Sequence, residues 1–432
     1  MMLFLYNALQ LIFTILFLPL IGLVVLMTPR YRGRMGRRLG FGLDRAVGGI
    51  SPTGFPRIWI HGLSVGETAS ARSLIAGLRE TYPDGILIYS ATTRSGEGYA
   101  ASALAGLVDL HVPFPLDFRW VVERFAVLLK PDLFVLVETD LWPNFLAVLN
   151  RRKIKVVLVN GRISKESFQR YRRFRFFFEP MFRSFHFLAM QTEEDSRRIA
   201  ALGVPVERLK TLGNLKYGTL LDGVAVASAE VALELVEFCQ HGPVLLAGST
   251  HKGEEAILLQ VYKKLKRSVP TLKLILAPRN LERAKEVLRL ALDEGWRADS
   301  RSGVFRVDCE LLVLDTLGEL AGLYEYCDMA FVGGSLVARG GHNPLEAVLF
   351  GKPVAFGPHM DDFAEITGDL LNAGGAVQAK DQEDLGRIFE EWLLDPASRA
   401  VTGSRGAQVV ETNRGVTSRH LDFIRTTLAG GE

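Results

Sequence analysis

Residues 329–358 constrain this chain more than any other stretch, because they read as strand, glycine loop, helix and strand in immediate succession. Met329 to Val332 is a short apolar run suited to a parallel strand covered on both faces. Gly333, Gly334, Gly340 and Gly341 then allow backbone geometries and close approaches that a Cβ blocks. Asn343 is a good N-cap and Pro344 a good first helical residue, so the next helix is expected to turn its free N–H groups and positive dipole end back on the loop. A phosphate fits such a place. Glu346 admits two roles there. Asn343-Pro-Leu-Glu346 has the spacing of a capping box, in which the glutamate closes the helix start. Equally, an ionised carboxylate accepts both hydroxyls of a ribose whose phosphate lies on the same helix end.

The rest of the chain is long enough to surround that unit with two domains. It has 432 residues, 48% of them hydrophobic, which excludes a disordered protein. A formal net charge of +3 means that any basic surface comes from local clustering. Cys239, Cys309 and Cys327 are odd in number and widely spaced, which argues against a disulfide framework and offers no metal-ligand spacing. Leu3 to Met27 is apolar apart from Asn7, Gln10, Thr14 and a few small residues, and exceeds the roughly 20 residues that a bilayer helix needs. Arg30, Arg32, Arg34, Arg37 and Arg38 follow at once. The positive-inside rule then expects a retained N-terminal membrane anchor over residues 1–30, spanning or lying in the interface, with everything after it on the cytoplasmic face. A cleaved signal would carry its charges before the apolar run.

From Arg57 onward apolar runs alternate with helical patterns, at 57–60, 85–89, 133–137, 155–159 and 187–190, as in a doubly wound parallel sheet. Ligands of such sheets bind beyond the carboxyl ends of strands. The loops at those ends are His61 to Ser70, where Glu67 opens a helix, and Ser90 to Gly98, where Arg94 sits among hydroxyls. A third, Glu138 to Pro143, offers the acids Glu138 and Asp140 without supporting metal ligands. Glu67 has a bland alternative as a dipole-favourable first-turn acid, and the Arg94 loop is either an anion seat or an ordinary turn. Between Gly161 and His186 arginines interleave with aromatics. That pattern fits an interfacial surface on anionic lipid, an amphipathic core helix or, least of all, a stacking surface for nucleic acid. A second strand–loop–helix series starts at Pro243, with Ser249, Thr250 and Arg279 at strand ends. The expected division is an acceptor-side domain over 31–218, a linker over 219–242, a nucleotide-sugar domain over 243–405 and a C-terminal helix over 406–432.

Seven motifs in order carry a resemblance that runs over nearly the whole chain: Ser64-Val-Gly-Glu-Thr68, Glu138-Thr-Asp-Leu-Trp-Pro143, Gly213-Asn-Leu-Lys216, Ala247-Gly-Ser-Thr-His251, Ala277-Pro-Arg279, Asp315-Thr-Leu-Gly-Glu319 and the block ending in His342-Asn-Pro-Leu-Glu346. Jointly they resemble the membrane-anchored Kdo (3-deoxy-D-manno-octulosonic acid) transferases of lipopolysaccharide biosynthesis. Asp140 and Asn280 depart from that pattern, standing where glutamate and histidine are usual. The resemblance implies an α/β glycosyltransferase B fold, with two Rossmann-like domains facing a cleft behind an inner-membrane anchor. It also implies a CMP-Kdo donor bound by the C-terminal domain, a lipid A precursor as acceptor and no nucleic-acid partner. Glu67 falls on the family's proposed general base. Lys216, Ser249, Thr250, Arg279, Asn343 and Glu346 become donor-binding candidates, and Arg94 and Glu138 substrate-positioning ones. No metal or other cofactor is expected, since cationic side chains and a helix end can stabilise a monophosphate leaving group. A uridine-nucleotide glycosyltransferase and a non-catalytic nucleotide-sugar sensor are the alternatives. Donor screening separates the first, and turnover with a lipid acceptor excludes the second.

Overall fold

The structure is a computed structural model that describes residues 2–50, 53–218, 220–221, 231–303 and 306–430. The chain divides into two units, Met1–Thr219 with Gly415–Glu432, and Leu220–Arg414. Much of the expected linker, residues 219 and 222–230, lies outside the described residues.

Each unit is built on one seven-stranded parallel sheet. The first holds β1 (Arg57–Gly62), β2 (Ile86–Ala91), β3 (Leu110–Pro113), β4 (Leu133–Val137), β5 (Lys155–Gly161), β6 (Phe187–Met190) and β7 (Leu209–Thr211), in the order β3-β2-β1-β4-β5-β6-β7. The second holds β8 (Val244–Thr250), β9 (Lys273–Pro278), β10 (Ala298–Ser300), β11 (Leu311–Val313), β12 (Met329–Val332), β13 (Val354–Phe356) and β14 (Ala376–Gln378), in the order β10-β11-β9-β8-β12-β13-β14. Central strands such as β2, β4 and β12 are buried along their whole length, because helices cover both sheet faces and leave no polar alternation to keep. In the first unit Trp59, Phe114, Phe134 and Phe145 pack edge-to-face or tilted, each contributing about 1.5 to 3 kcal/mol by burial. The strand order reverses direction between β1 and β4 in one sheet and between β8 and β12 in the other. Crevices in doubly wound sheets open at such reversals.

Two terminal elements differ from expectation. The chain ends in two helices, Pro396–Asn413 and Val416–Leu428, where a single one over 406–432 was expected, and the second of them belongs to the first unit. Gly77 lies beneath Leu421, Lys155 Nζ donates to Thr427 O at 2.6 Å, and Arg419 Nε donates to Leu212 O at 3.1 Å. At the other end Met2–Met27 forms one 26-residue helix. Its polar residues face the first unit: Tyr6 Oη donates to Asp117 Oδ2 at 2.9 Å, Gln10 Nε2 to Asp117 O at 3.1 Å, and Asn7 pairs with Asn144 at 2.9 Å. Phe4, Leu5, Leu9, Ile12, Phe13 and Leu16 are exposed. The side chains of 18–26 lie outside the described residues, and among the described residues no helix is long and apolar enough to cross a membrane. The expected spanning anchor is therefore not among the features the structure shows.

Candidate active site

In the first unit the turn after β1 leads into the helix Val65–Thr81 and carries Glu67. A Cβ on Gly62 would sit 3.3 Å from the Glu67 Cβ and 2.6 Å from the Tyr89 hydroxyl, so only glycine lets the helix start fold this close over the strand end. The Glu67 carboxylate reaches back to accept the Ser64 N–H at 2.5 Å, closing a capping box. Burial nevertheless holds its carboxyl above the ordinary glutamate range. Hydrogen bonds from Ser64 and Leu63 oppose that shift, and the charge of Asp140 adds to it. Asp140 comes from the turn after β4, across the strand-order reversal, and accepts the Trp142 indole N–H at 2.9 Å. Glu138, on the same turn, has φ 63° and accepts from Asn160 Nδ2 at 3.4 Å. A non-glycine residue in that region costs on the order of 1 to 3 kcal/mol, a strain that concentrates at functional turns. The Arg94 loop lies against the Glu67 loop, with the Thr93 N–H donating to Leu63 O at 3.0 Å, while Arg94 itself is exposed.

In the second unit the turns after β8 and β12 meet at the other reversal. A Cβ on Gly333 would lie 2.2 Å from the Ser249 carbonyl oxygen, so glycine is required for the two strand ends to pass each other. Ser249 adopts φ 55°. The glycine loop is held by a carboxylate of the protein itself. Glu254, fully buried, accepts the N–H groups of Gly334, Ser335 and Leu336 at 2.7, 3.0 and 2.9 Å and that of His251 at 2.9 Å. Those donors are not available to an incoming phosphate. The helix after the loop is a single turn, Leu345–Val348, with Asn343 Oδ1 accepting the Leu345 N–H at 3.1 Å. So short a helix contributes little dipole. The capping box is absent, because no hydrogen bond among the described residues joins Glu346 to the Asn343 backbone.

Glu346 instead lines a cavity of about 420 Å³ with Ser249, Arg279, Thr316, His342 and Asn343. Burial raises its carboxyl to about 6, against the opposing charge of Arg279. A carboxylate and a guanidinium facing one half-buried space can take, respectively, the hydroxyls and the phosphate of a nucleotide.

Residues 33–219 match the family described as 3-Deoxy-D-manno-octulosonic-acid transferase (kdotransferase). The 3-deoxy-D-manno-octulosonic acid transferase of Haemophilus influenzae is 34% identical over 98% of this chain and 98% of its own. The protein belongs to the Kdo transferase family. It is a glycosyltransferase. The Kdo transferase of Chlamydophila psittaci is 29% identical over 95% of this chain and 93% of its own. A structure described as a UDP-N-acetylglucosamine 2-epimerase of Listeria monocytogenes superposes with a TM-score of 0.51 over 87% of this chain and 98% of that one. At 12% identity this shows the shared two-unit α/β fold alone.

Set against this Kdo transferase fold, Ser249, Arg279, Asn343 and Glu346 come together around one cavity. Thr250 does not join them: it is fully buried, and its hydroxyl donates to Glu255 Oε1 at 3.2 Å, beside the Glu255–Arg283 ion pair. Lys216 lies in the first unit, where its N–H donates to Asn214 Oδ1 at 2.9 Å. The sequence reading overlooked Glu254 and the contact between His251 and His342. The glutamate pair at the start of the helix after β8 was the local signal of Glu254, and each histidine stands in one of the quoted motifs. The basic-aromatic stretch divides into a buried and an exposed part. Met181, Phe182 and Phe185 join the core, whereas Arg170, Arg172, Arg173, Phe174, Arg175 and Phe176 are exposed.

Proposed function

We propose that the protein transfers Kdo from CMP-Kdo to a lipid A precursor with inversion. The observation that carries this reading is the cavity at the β8/β12 reversal, where Arg279 and the up-shifted Glu346 carboxyl face one space. Glu346 accepts the ribose hydroxyls and Arg279 holds the monophosphate, with Asn343 adding a polar group at the turn. In the first unit Glu67 takes the proton of the acceptor hydroxyl as that oxygen bonds to the anomeric carbon. The bond from that carbon to the phosphate oxygen breaks, and CMP leaves with both electrons. Burial that raises the Glu67 carboxyl makes it a stronger base than a solvated glutamate. Glu138, strained at its strand end, and the exposed Arg94 are substrate-positioning groups of the same reaction.

The acceptor is a lipid, and the first unit offers it a surface. The helix Met2–Met27 is tied to the unit along Tyr6, Asn7 and Gln10 and exposes its apolar side, and its Tyr6 ring lies 6.3 Å from that of Phe177 on the basic-aromatic stretch. Apolar side chains beside exposed arginines suit the headgroup region of an anionic bilayer. From the arginines that follow the first helix in the sequence we infer that the protein works on the cytoplasmic face of the inner membrane. The test is mass spectrometry of the lipid formed from CMP-Kdo and a tetraacylated lipid A precursor by the full chain in detergent. A mass increase of one or more Kdo residues is expected. An unmodified acceptor, with turnover on a uridine-nucleotide sugar, overturns the donor assignment.

A further inference from the structure

His251, in the turn after β8, and His342, next to the single-turn helix, bring their Nε2 atoms to 2.9 Å with rings parallel within 5°. Two imidazole nitrogens at this distance repel unless a proton lies between them, so one ring donates and the other accepts. The bond fixes the tautomers as a set: when His251 donates, His342 carries its remaining proton on Nδ1. A singly protonated pair keeps the same N–H···N bond and gains one positive charge, whereas a second added proton breaks it. The charged groups around the pair are Arg279 at the end of β9, Asp362 beside the glycine loop and the Glu254 carboxylate at the His251 backbone. Burial, His251 and Arg279 hold the His342 imidazole down at about 4, so it is neutral at physiological pH.

His342 lines the same cavity as Glu346, Asn343 and Arg279. Along the chain these groups run from Glu346, the second residue of the helix, through Asn343 just before its start to His342. A nucleotide with its ribose at Glu346 and its phosphate at Arg279 and Asn343 therefore directs its sugar toward His342. An ulosonic acid carries its carboxylate on the anomeric carbon, the same carbon that holds the phosphate oxygen. The second acidic group of the donor thus lies within a few bonds of the first. We propose that His342, held in place by His251, binds the carboxylate of the transferred sugar and so positions the anomeric carbon. This inference rests on the CMP-Kdo reading of the site. The bound carboxylate favours the singly charged pair, so donor binding takes up a proton.

Steady-state kinetics of the full chain test this with CMP-Kdo as substrate and CMP as competing inhibitor. His342→Leu should raise the donor KM about 10- to 100-fold, the range for a hydrogen bond to a charged group, while CMP inhibition and the melting temperature stay as in the wild type. Wild-type kcat/KM for the donor should show an alkaline limb that begins near pH 4 and runs through neutral pH, because the free pair has already lost there the proton that donor binding takes up. His342→Asn, whose amide N–H lies close to where Nδ1–H lies, should recover part of the lost donor affinity and show no alkaline limb. His251→Leu should raise the donor KM in the same direction, by less. If His342→Leu does not fold, the limb in His342→Asn decides. Three results overturn the proposal: an unchanged donor KM, CMP inhibition weakened in parallel with donor use, or an alkaline limb that survives in His342→Asn. Wild-type protein that turns over a uridine-nucleotide sugar and no CMP-Kdo overturns the donor reading itself, and the carboxylate assignment with it. That failure is read without any variant.

Discussion

Two turns of this molecule carry the same four-residue spacing and use it in opposite ways. Ser64-Val-Gly-Glu67 and Asn343-Pro-Leu-Glu346 both satisfy the capping-box pattern, yet the box closes only at the first. At Ser64 a helix of 17 residues follows, so a free N-terminal N–H is worth satisfying and Glu67 folds back to meet it. At Asn343 the helix has four residues, and the Asn343 side chain already accepts the Leu345 N–H. Glu346 is left to face the cavity and Arg279. Burial lifts both carboxyls, but at Glu67 a closed ring of hydrogen bonds pulls against that shift, and at Glu346 the single charge of Arg279 does. Equal spacing therefore says little about role. What decides it is the length of the helix being capped and whether a side chain has already taken the first N–H.

The largest effect should come from Glu67→Gln. Glutamine closes a capping box as glutamate does, so the fold and CMP affinity should stay near wild type while turnover falls roughly 10²- to 10⁴-fold. Turnover of the wild type should also decline as pH falls through the raised Glu67 value, because the base must be ionised to accept a proton. That acidic limb should vanish in the residual activity of the glutamine variant. Near-normal turnover, or loss explained by unfolding, would leave Glu67 as a cap and no more.

Glu346→Ala comes second. CMP binding measured by calorimetry should weaken by about 1.5 to 3 kcal/mol with little change in melting temperature, whereas a capping role would cost about 1 kcal/mol of stability and leave CMP binding alone. The sign of the pH dependence follows from a folded-state value of about 6, above the ordinary 4.5. The stability this group contributes is full below its ordinary value and is lost as pH rises through about 6, since the ionised form is the one that burial penalises. CMP affinity should move the other way across the same window, because the ionised carboxylate is the better acceptor for ribose hydroxyls. Glu346→Gln should flatten both trends.

The same contrast explains what the residues disclosed before the structure. The sheets were legible because buried parallel strands are short unbroken apolar runs, and the loops at both strand-order reversals stood out by their glycines and hydroxyls. Contacts between distant parts of the chain were not legible. Glu254 binds N–H groups some 80 positions further on, which no local pattern reveals, and so the glycine loop read as a phosphate cradle although a glutamate fills it. Thr250 entered the site through the resemblance, standing beside Ser249 in one motif, and nothing in that motif shows that its hydroxyl turns toward Glu255. Asn7 and Gln10 read as blemishes in an apolar run, yet they are the residues that fasten the first helix to Asn144 and Asp117. The last helix stood apart in the sequence without a domain of its own, because only contacts with Gly77, Lys155 and Leu212 assign it to the first unit.

Ser64→Ala should give the smallest effect, and it tests why the closed box does not silence Glu67. The Ser64 side chain and backbone both stabilise the ionised form of the Glu67 carboxyl, opposing the burial that raises it. Alanine removes the side-chain part and leaves the backbone N–H in place. The cap should then lose about 1 kcal/mol of stability, and the Glu67 value should rise further by under about one pH unit, since a full unit corresponds to about 1.4 kcal/mol. The acidic limb of turnover should move to higher pH by that amount, with the plateau nearly unchanged. A limb that stays put while the melting temperature falls would mean that Ser64 serves the helix alone and that the backbone bond and burial set the basicity of Glu67. A limb that moves to lower pH would contradict the sign of the Ser64 contribution, and with it the view that one hydrogen-bonded turn both caps a helix and tunes a base.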